Sequence, residues 1–199
     1  MTGEGGFRIL RAADRAATAW KNGGGVTREI AARPEGAGPE DFVWRVSLAE
    51  VAADGPFSVF PGVDRTLTLA EGAGMDLTVA GVRRLLDERF APQDFAGDVP
   101  TDCTLVAGPV VNFNVMYRRG ATEAQTAVVR GRLGLAAAAG ETLLVVALDG
   151  PAEVEAEVEA EAARGPVTVA LGPYDAALAT GPFTGRLRTS GRAAVVRLR

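Results

Sequence analysis

Four stretches of this sequence concentrate side chains that could hold a small anion. The first covers residues 20–30 and contains Lys21-Asn22-Gly23-Gly24-Gly25 followed by Arg28 and Glu29. Consecutive glycines allow positive φ and bring backbone N–H groups close to a ligand, where they can form an anion-binding nest. Lys21 and Arg28 add positive charge on either side. The stretch is equally typical of a hairpin turn, because Asn-Gly favours one.

Two further stretches place an arginine on a predicted strand. Residues 42–47 alternate so that Arg45 and Ser47 share one face, which is either a barrel mouth or an exposed surface. Residues 55–65 form a turn-rich stretch that ends in Asp64-Arg65. Neighbours on a strand face opposite ways, so these two cannot form a simple bidentate pair. Either one of the two side chains reaches inward, or both lie at exposed positions.

The fourth stretch, residues 111–120, carries amides on one face of a predicted strand. Asn112, Asn114, Met116 and Arg118 follow each other at every second position. Two amides, a thioether and a guanidinium are unusual in an apolar core. This face therefore predicts either a polar pocket or a solvent-exposed surface.

The composition excludes most of the usual catalytic and metal-binding groups. The 199-residue chain has no histidine and one cysteine, which excludes a Ser-His-Asp triad, a Cys-His dyad, an intrachain disulfide and a cysteine zinc cluster. Oxygen ligands remain, and they bind Mg, Ca or Mn weakly, so we expect no stoichiometric transition metal and no cofactor. Cys103 has no visible base nearby and is predicted to be a buried structural thiol.

The charge balance and the apolar runs do not indicate a nucleic-acid or membrane partner. With 21 basic and 25 acidic residues the net charge is −4, so no basic face for nucleic acid is indicated. The first twenty residues lack the apolar region of a secretory signal, and the longest strongly apolar run, residues 143–148, is too short for a membrane span. We therefore expect a cytoplasmic protein. Lys21 is the only lysine, which suggests that a compact ammonium is required there.

The elements that must position these residues are predicted to be β-strands. Short apolar runs are broken repeatedly by Gly-Pro pairs, as in a sandwich or barrel, with short helical turns at residues 12–18 and 91–95. The alternating Glu153-to-Glu161 run predicts a solvated edge strand. A strand-turn-strand pattern around Gly72 recurs around Gly150, which predicts two stacked small barrels, over residues 1–120 and 121–199. Strands before residue 40 would join either half.

The four stretches, in this order, resemble the HutD/Ves family, and the resemblance spans roughly residues 7–190. It implies an all-β bicupin, which is two cupin-like barrels of the jelly-roll type in one chain. Cupins commonly hold a metal on His and Glu, and this chain has no histidine for such a site. Family members are associated with histidine utilisation, with a regulatory role through a metabolite such as formylglutamate or urocanate. Asn112 departs from the Asp that the resemblance leads us to expect.

Together these observations predict a metal-free protein that binds a small anionic metabolite and modulates histidine utilisation. The alternative is a metal-independent isomerase, hydrolase or lyase that uses Lys21, Glu29 or Asp64 as acid or base. A third possibility is a protein–protein module with a vestigial pocket; a homodimer is also possible. The predicted ligand-binding residues are Lys21, Asn22, Arg28, Glu29, Arg45, Ser47, Asp64, Arg65, Asn114 and Arg118.

Overall fold

The computed structural model describes residues 6–20, 23–157 and 166–199, and within them the chain is built from β-strands. These residues contain no α-helix, and their helical content is one 3-10 turn at Ala12–Asp14. The all-β prediction is confirmed. The strands are β1 (Gly6–Leu10), β2 (Thr18–Ala19), β3 (Gly25–Arg33), β4 (Trp44–Val51), β5 (Gly55–Pro56), β6 (Val63–Glu71), β7 (Met75–Val79), β8 (Val82–Leu86), β9 (Gln93–Ala96), β10 (Thr101–Leu105), β11 (Val110–Arg118), β12 (Ala124–Ala137), β13 (Thr142–Asp149), β14 (Ala152–Glu157), β15 (Val167–Leu171), β16 (Ala176–Thr180) and β17 (Phe183–Leu198).

The chain divides into two compact units. Arg15–Glu123 form the N-terminal unit, and the C-terminal unit combines Ala124–Arg199 with the residues before Arg15. The division lies close to the boundary predicted between residues 120 and 121. It differs at the start of the chain, because β1 pairs with β16 and so belongs to the C-terminal unit. Local alternation predicts a strand but does not identify a pairing partner so distant in sequence.

Two sheets build the N-terminal unit. The larger has the strand order β2-β3-β4-β11-β6-β9, and the smaller has the order β5-β10-β7-β8. Side chains from one face of the larger sheet meet those of the smaller sheet in an apolar core. This core includes Val51, Leu67, Leu69, Phe95 and Val110 from the larger sheet and Met75, Leu77, Val79, Leu86 and Cys103 from the smaller.

One continuous sheet builds the C-terminal unit, in the order β1-β16-β13-β17-β14-β15, with β12 along the other side of β17. The long strand β17 pairs with β13 over one half of its length and with β14 over the other. Small residues on β12 and β17 allow these strands to bend where β17 changes from one partner to the other. β12 has a bulge between Val129 and Gly131, where φ of Gly131 is +83°. On β17, Gly191 lies so close to Asp149 that a Cβ there would lie 1.3 Å from the carbonyl oxygen.

Two local predictions are corrected by strand pairing. Residues 91–95 were predicted to hold a helical turn, but Gln93–Ala96 pair with β6 as strand β9. The described part of the glutamate run forms β14, which lies between β15 and β17 and is not an edge; residues 158–161 of the run lie outside the described residues. Cys103 is buried as predicted, and burial raises its pKa to about 11. No helix in the described chain has the length and hydropathy needed to cross a membrane.

Candidate functional site

The interior face of the larger sheet carries polar side chains at positions where an apolar core is expected. Residues paired across neighbouring antiparallel strands project to the same face. Ser47 on β4 is paired with Asn114 on β11. Arg45 on β4 and Arg65 on β6 are both paired with Met116 of β11. The predicted alternation of β4 and β11 is thus confirmed, and it brings residues from three of the four motif stretches onto one surface.

Arg65 is a buried cation with no ion-pair partner among the described residues. Its guanidinium carbon lies 5.2 Å from the ring centroid of Phe57 and 5.2 Å from that of Phe95. Its Nη2 donates a hydrogen bond to Asn114 Oδ1 over 3.2 Å, while its Nε is buried with no hydrogen-bond partner in the described structure. Burial lowers the pKa of Arg65 to about 10. Two aromatic faces and one neutral amide thus lie next to a charge that no carboxylate of the described residues balances.

Asn112 adds a second incompletely bonded group to this face. It is 1% exposed, and its Nδ2 donates to the thioether Sδ of Met75 over 3.3 Å. Thioether sulfur is a weak acceptor, and Asn112 Oδ1 has no hydrogen-bond partner in the described structure. Buried polar groups are normally satisfied, and the amide oxygen of Asn112 is an exception in the described structure. We call Arg45, Ser47, Arg65, Asn112 and Asn114 the polar cluster.

Glu29 and Arg45 form an ion pair beside the other members of the polar cluster. Glu29 on β3 is paired with Ser47, and Arg45 Nε donates to Glu29 Oε2 over 2.8 Å. The side chains of Arg45 and Glu29 are 18% and 33% exposed, so this pair lies closer to solvent than Arg65 does. Because the two charges cancel, the net positive charge of the cluster comes from Arg65.

The glycine-rich motif forms a tight turn between β2 and β3. The N–H of Trp20 donates to the carbonyl of Gly25 over 2.9 Å, and the N–H of Gly23 donates back to Trp20 over 3.0 Å. Gly23 has φ +72°, and a Cβ at Gly25 would lie 2.2 Å from a backbone carbonyl oxygen of β4. Gly23 and Gly25 are therefore required by the local backbone, the first for its φ and the second for its close approach to β4. Lys21 and Asn22, the predicted ligand-binding residues of this motif, lie outside the described residues.

Arg28 and Asp64 do not belong to the polar cluster, which corrects the prediction that they line the site with Arg45 and Asn114. Arg28 is paired with Leu48 and lies on the opposite face of the sheet, where its Nε contacts Glu50 Oε1 at 3.0 Å. Asp64 lies on that face too, and its Oδ1 is 3.1 Å from Arg119 Nε. Arg28 directly precedes Glu29, and Asp64 directly precedes Arg65. Because adjacent strand residues face opposite ways and Glu29 and Arg65 face inward, Arg28 and Asp64 face outward.

Arg118 shares the strand face of Asn114 but has a structural role. Its Nη2 donates to the carbonyl of Glu40 over 2.7 Å, and its Nε donates to the carbonyl of Phe42 over 3.3 Å. The guanidinium carbon also lies 6.0 Å from the centroid of the Phe42 ring. Arg118 thus anchors the loop that leads into β4, and its donors are engaged by backbone.

The metal that the cupin resemblance implies does not fit these side chains. In the described residues no three acidic or cysteine side chains come together. The polar cluster offers amides, one hydroxyl and guanidinium groups, and its carboxylate neighbour Glu29 is paired with Arg45. A buried guanidinium repels a cation and attracts an anion. The arrangement therefore suits an anionic ligand.

Asn112 is the member of the cluster that the predicted set of binding residues omitted. Its position two residues before Asn114, on the same face of a strand, was the available signal. Phe57 and Phe95, whose rings lie near the Arg65 guanidinium, carried no such signal because their rings resemble ordinary core side chains in the sequence.

Comparison with known proteins places the chain in a family. The HutD family model matches residues 12–196. An uncharacterized 21.2 kDa protein from the hutC 3' region of Pseudomonas putida is 41% identical over 114 residues, covering 56% of this chain and 58% of the relative. Protein Ves of Cronobacter sakazakii is 41% identical over 110 residues, covering 55% and 59%. The chain spans about three fifths of the length of these curated relatives.

Solved structures extend the likeness over nearly the whole chain. HutD from Pseudomonas fluorescens SBW25, solved in a formate condition, has a TM-score of 0.82 and 32% identity, covering 97% of this chain and 98% of the other. A conserved protein of unknown function from Pseudomonas aeruginosa PAO1 has a TM-score of 0.84, with the same identity and coverage. Protein Ylba from E. coli, at a TM-score of 0.72, 10% identity and coverage of 100% and 93%, shares the fold alone. The fold is therefore all-β and cupin-like, and the chain belongs to the HutD family, which is linked to the histidine-utilisation locus.

Proposed function

We propose that this protein binds a small carboxylate metabolite of histidine degradation and that Arg65 recognises the carboxylate. The observation that carries the proposal is the charge of Arg65, which is buried without a counter-ion among the described residues. Lowering of its pKa to about 10 corresponds to a penalty of about 3 kcal/mol for the charged form in the folded state. Because the folded pKa lies below the unfolded one, this penalty is fully present at every pH below about 10. A bound carboxylate would offset it.

The surroundings of Arg65 favour a ligand with a carboxylate and a hydrogen-bond donor. Guanidinium groups bind carboxylates through two parallel hydrogen bonds, and the ring centroids of Phe57 and Phe95 both lie 5.2 Å from the guanidinium carbon of Arg65. Asn112 Oδ1 lacks a donor in the described structure and could accept one from a ligand N–H. Formylglutamate, which has two carboxylates and an N–H, meets both requirements. Urocanate, with a carboxylate and an imidazole, meets them in a smaller molecule.

Binding is favoured over catalysis by the positions of the acidic residues. The enzyme alternative needs Glu29, Asp64 or Lys21 as acid or base. Glu29 is engaged by Arg45, and Asp64 lies on the other face of the sheet beside Arg119. A general base must reach the proton that it removes, and neither carboxylate is free at the polar cluster. We propose that the role is regulatory, through the occupancy of the site.

The fold likeness supports a finer architectural proposal. We propose that each unit is a jelly-roll barrel of the cupin type, which would make the chain a bicupin, and that the protein acts in the cytoplasm. The bicupin proposal is supported by the likeness in fold to Ylba and to hazelnut vicilin, which has a TM-score of 0.64 at 8% identity and coverage of 96% and 84%. The proposed location is based on the sequence. Lys21 stays a proposed ligand contact on the strength of the sequence.

Thermal unfolding with defined ligands tests the proposed function. The purified chain is heated with formylglutamate, urocanate, glutamate or the dimethyl ester of formylglutamate, which has the same carbon skeleton with each carboxylate replaced by an uncharged methyl ester. We expect a saturable rise of Tm with formylglutamate or urocanate and none with the ester, because a ligand of the native state stabilises it by mass action. Equal shifts with acid and ester would contradict recognition of the carboxylate. Conversion of either acid, followed by NMR, would favour the enzyme alternative.

A further inference from the structure

An open strand edge lies in the C-terminal unit along β12. Among the described residues β12 pairs with β17 and with no other strand. Residues 130–134 are all exposed, including Leu133 at 38%. An unpaired edge presents backbone donors and acceptors to an incoming strand, and this is how extended peptides add to many sheets. The β12 edge therefore has the backbone groups needed to accept another strand.

A positively charged groove lies across β12 and its neighbour β17. It has a volume of about 330 Å³ and includes Gly134, which is paired with Arg186 and has open space where a side chain would stand. Arg132 is paired directly with Arg188, and neither has an ion-pair partner in the described chain. Like charges on directly opposed strand positions are destabilising. The lining residues are Arg132, Leu133, Gly134, Arg186, Leu187 and Arg188.

The opposite side of β17 shows which kind of strand such a surface accepts. There β14 runs antiparallel to β17, with Glu153 paired with Arg188 and Glu155 paired with Arg186. Glu155 and Arg186 approach to 3.9 Å, and Val154 lies between the two glutamates, opposite the buried Leu187. The acidic-apolar-acidic sequence of β14 thus complements the basic-apolar-basic sequence of β17, with the charges on one face and the apolar side chains on the other. On β12, the adjacent Arg132 and Leu133 repeat the start of that pattern with no acidic strand beside them in the described structure.

We propose that the β12 edge binds an extended segment of a partner protein in which carboxylates alternate with apolar residues. The segment adds to the sheet as a strand next to β12. Its carboxylates lie over Arg132 and the groove, where they relieve the repulsion between Arg132 and Arg188. Its apolar side chains cover Leu133 on the other face. This surface lies in the C-terminal unit and does not depend on the proposed metabolite site.

Fluorescence anisotropy with a labelled peptide tests the proposal. The probe repeats the β14 sequence Ala-Glu-Val-Glu-Ala-Glu, and the matched control peptide carries Gln in place of every Glu. We expect saturable binding of the acidic peptide and weakening by roughly tenfold in Arg132→Glu, because one attraction is replaced by a repulsion. Arg33→Glu, an equal charge change at an exposed position of the N-terminal unit, should leave the affinity unchanged.

Hydrogen exchange separates strand addition from simple attraction between charges. Binding of the acidic peptide should slow exchange of backbone amides within residues 130–134, and the Gln peptide should not. Equal binding of both peptides, equal binding to Arg132→Glu, or binding without protection of β12 would overturn the proposal. So would displacement of the peptide by a DNA duplex at equal charge concentration, since that result would assign the groove to polyanions in general.

Discussion

The interiors of the two units differ in polarity, although the strands of both units alternate between inward-facing and outward-facing side chains. In the N-terminal unit, inward positions of β4, β6 and β11 carry Ser47, Arg65, Asn112 and Asn114. In the described C-terminal unit the buried polar side chains are two threonines, and one of them, Thr189, donates to a backbone carbonyl. This difference supports the proposal that the metabolite site lies in the N-terminal unit and not in the C-terminal unit. Strand alternation provides the inward positions in both, and the residue types at these positions decide the role.

The two units also differ in whether a charged side chain has an oppositely charged partner. In the C-terminal unit, Glu141 accepts hydrogen bonds from Arg197 at 2.6 Å and from Arg199 at 2.7 Å. The backbone N–H of Ala138 and these guanidinium groups lower the pKa of Glu141. In the N-terminal unit, the described contacts of the Arg65 guanidinium are a neutral amide and two rings. A paired charge near the surface supports the fold, whereas an unpaired buried cation points to a ligand.

The largest effect on stability is expected from the apolar interior of the C-terminal unit. Leu187 is fully buried, and Leu187→Ala removes packing and leaves a cavity, so the free energy of unfolding should fall by about 2–5 kcal/mol. Urea denaturation measures the loss. Affinity for formylglutamate, measured where the variant is still folded, should be unchanged. A large loss of affinity would show that the C-terminal interior is more than a scaffold.

Among the amide side chains of the polar cluster, replacement of Asn114 is expected to weaken ligand affinity most. Asn114→Leu keeps the approximate volume and removes the acceptor for Arg65 Nη2, so the guanidinium loses its orientation. Calorimetric titration with formylglutamate should show affinity weakened by roughly tenfold, which corresponds to the value of one hydrogen bond to a charged group. Thr142→Val, a matched loss of a buried polar group in the C-terminal unit, should not change the affinity.

Alkaline pH should weaken binding through Arg65. Its folded pKa is lowered to about 10 by burial, so the cation is present below that pH and is lost above it. A carboxylate ligand stays ionised throughout, so affinity should be constant from neutral pH to about pH 9 and then fall by roughly tenfold per pH unit above 10. Titration at several pH values, each checked for a folded protein, measures the profile. A decline centred well below pH 9 would assign recognition to another group.

The smallest effect on ligand affinity is expected from Arg28, which lies on the other face of the larger sheet, away from the polar cluster. Arg28→Ala removes a surface ion pair with Glu50 in which both side chains are well exposed, at 39% and 47%. Such pairs contribute about 0–1 kcal/mol, and Arg28 is not in the polar cluster. Affinity should therefore change by less than about twofold. A tenfold loss would restore Arg28 to the site and contradict the assignment of faces.

The sequence contained enough to predict the all-β class and the faces of β4 and β11, because period-two alternation is local. The same rule also separates Arg28 from Glu29 and Asp64 from Arg65, so at most one of each pair can face inward. The motif resemblance joined all four residues in one site, and the alternation of the strands divides them.

Features that depend on distant pairing could not be predicted in this way. Nothing in residues 6–10 indicates that they pair with β16, and the acidic alternation of β14 suits an edge strand as well as the interior position it has between β15 and β17. The rings around Arg65 come from β9 and from the segment after β5, and only the folded chain brings them together.

The most direct test of the central claim is Arg65→Met, studied for both stability and binding. Met keeps apolar contact with Phe57 and Phe95 and removes the uncompensated charge, so the ligand-free variant should unfold at the same Tm as the wild type or higher. Calorimetric titration of the same variant should show no detectable binding of the formylglutamate or urocanate that binds the wild type. A Tm lowered by several degrees together with unchanged affinity would contradict the account, because Arg65 would then serve the fold and not the ligand.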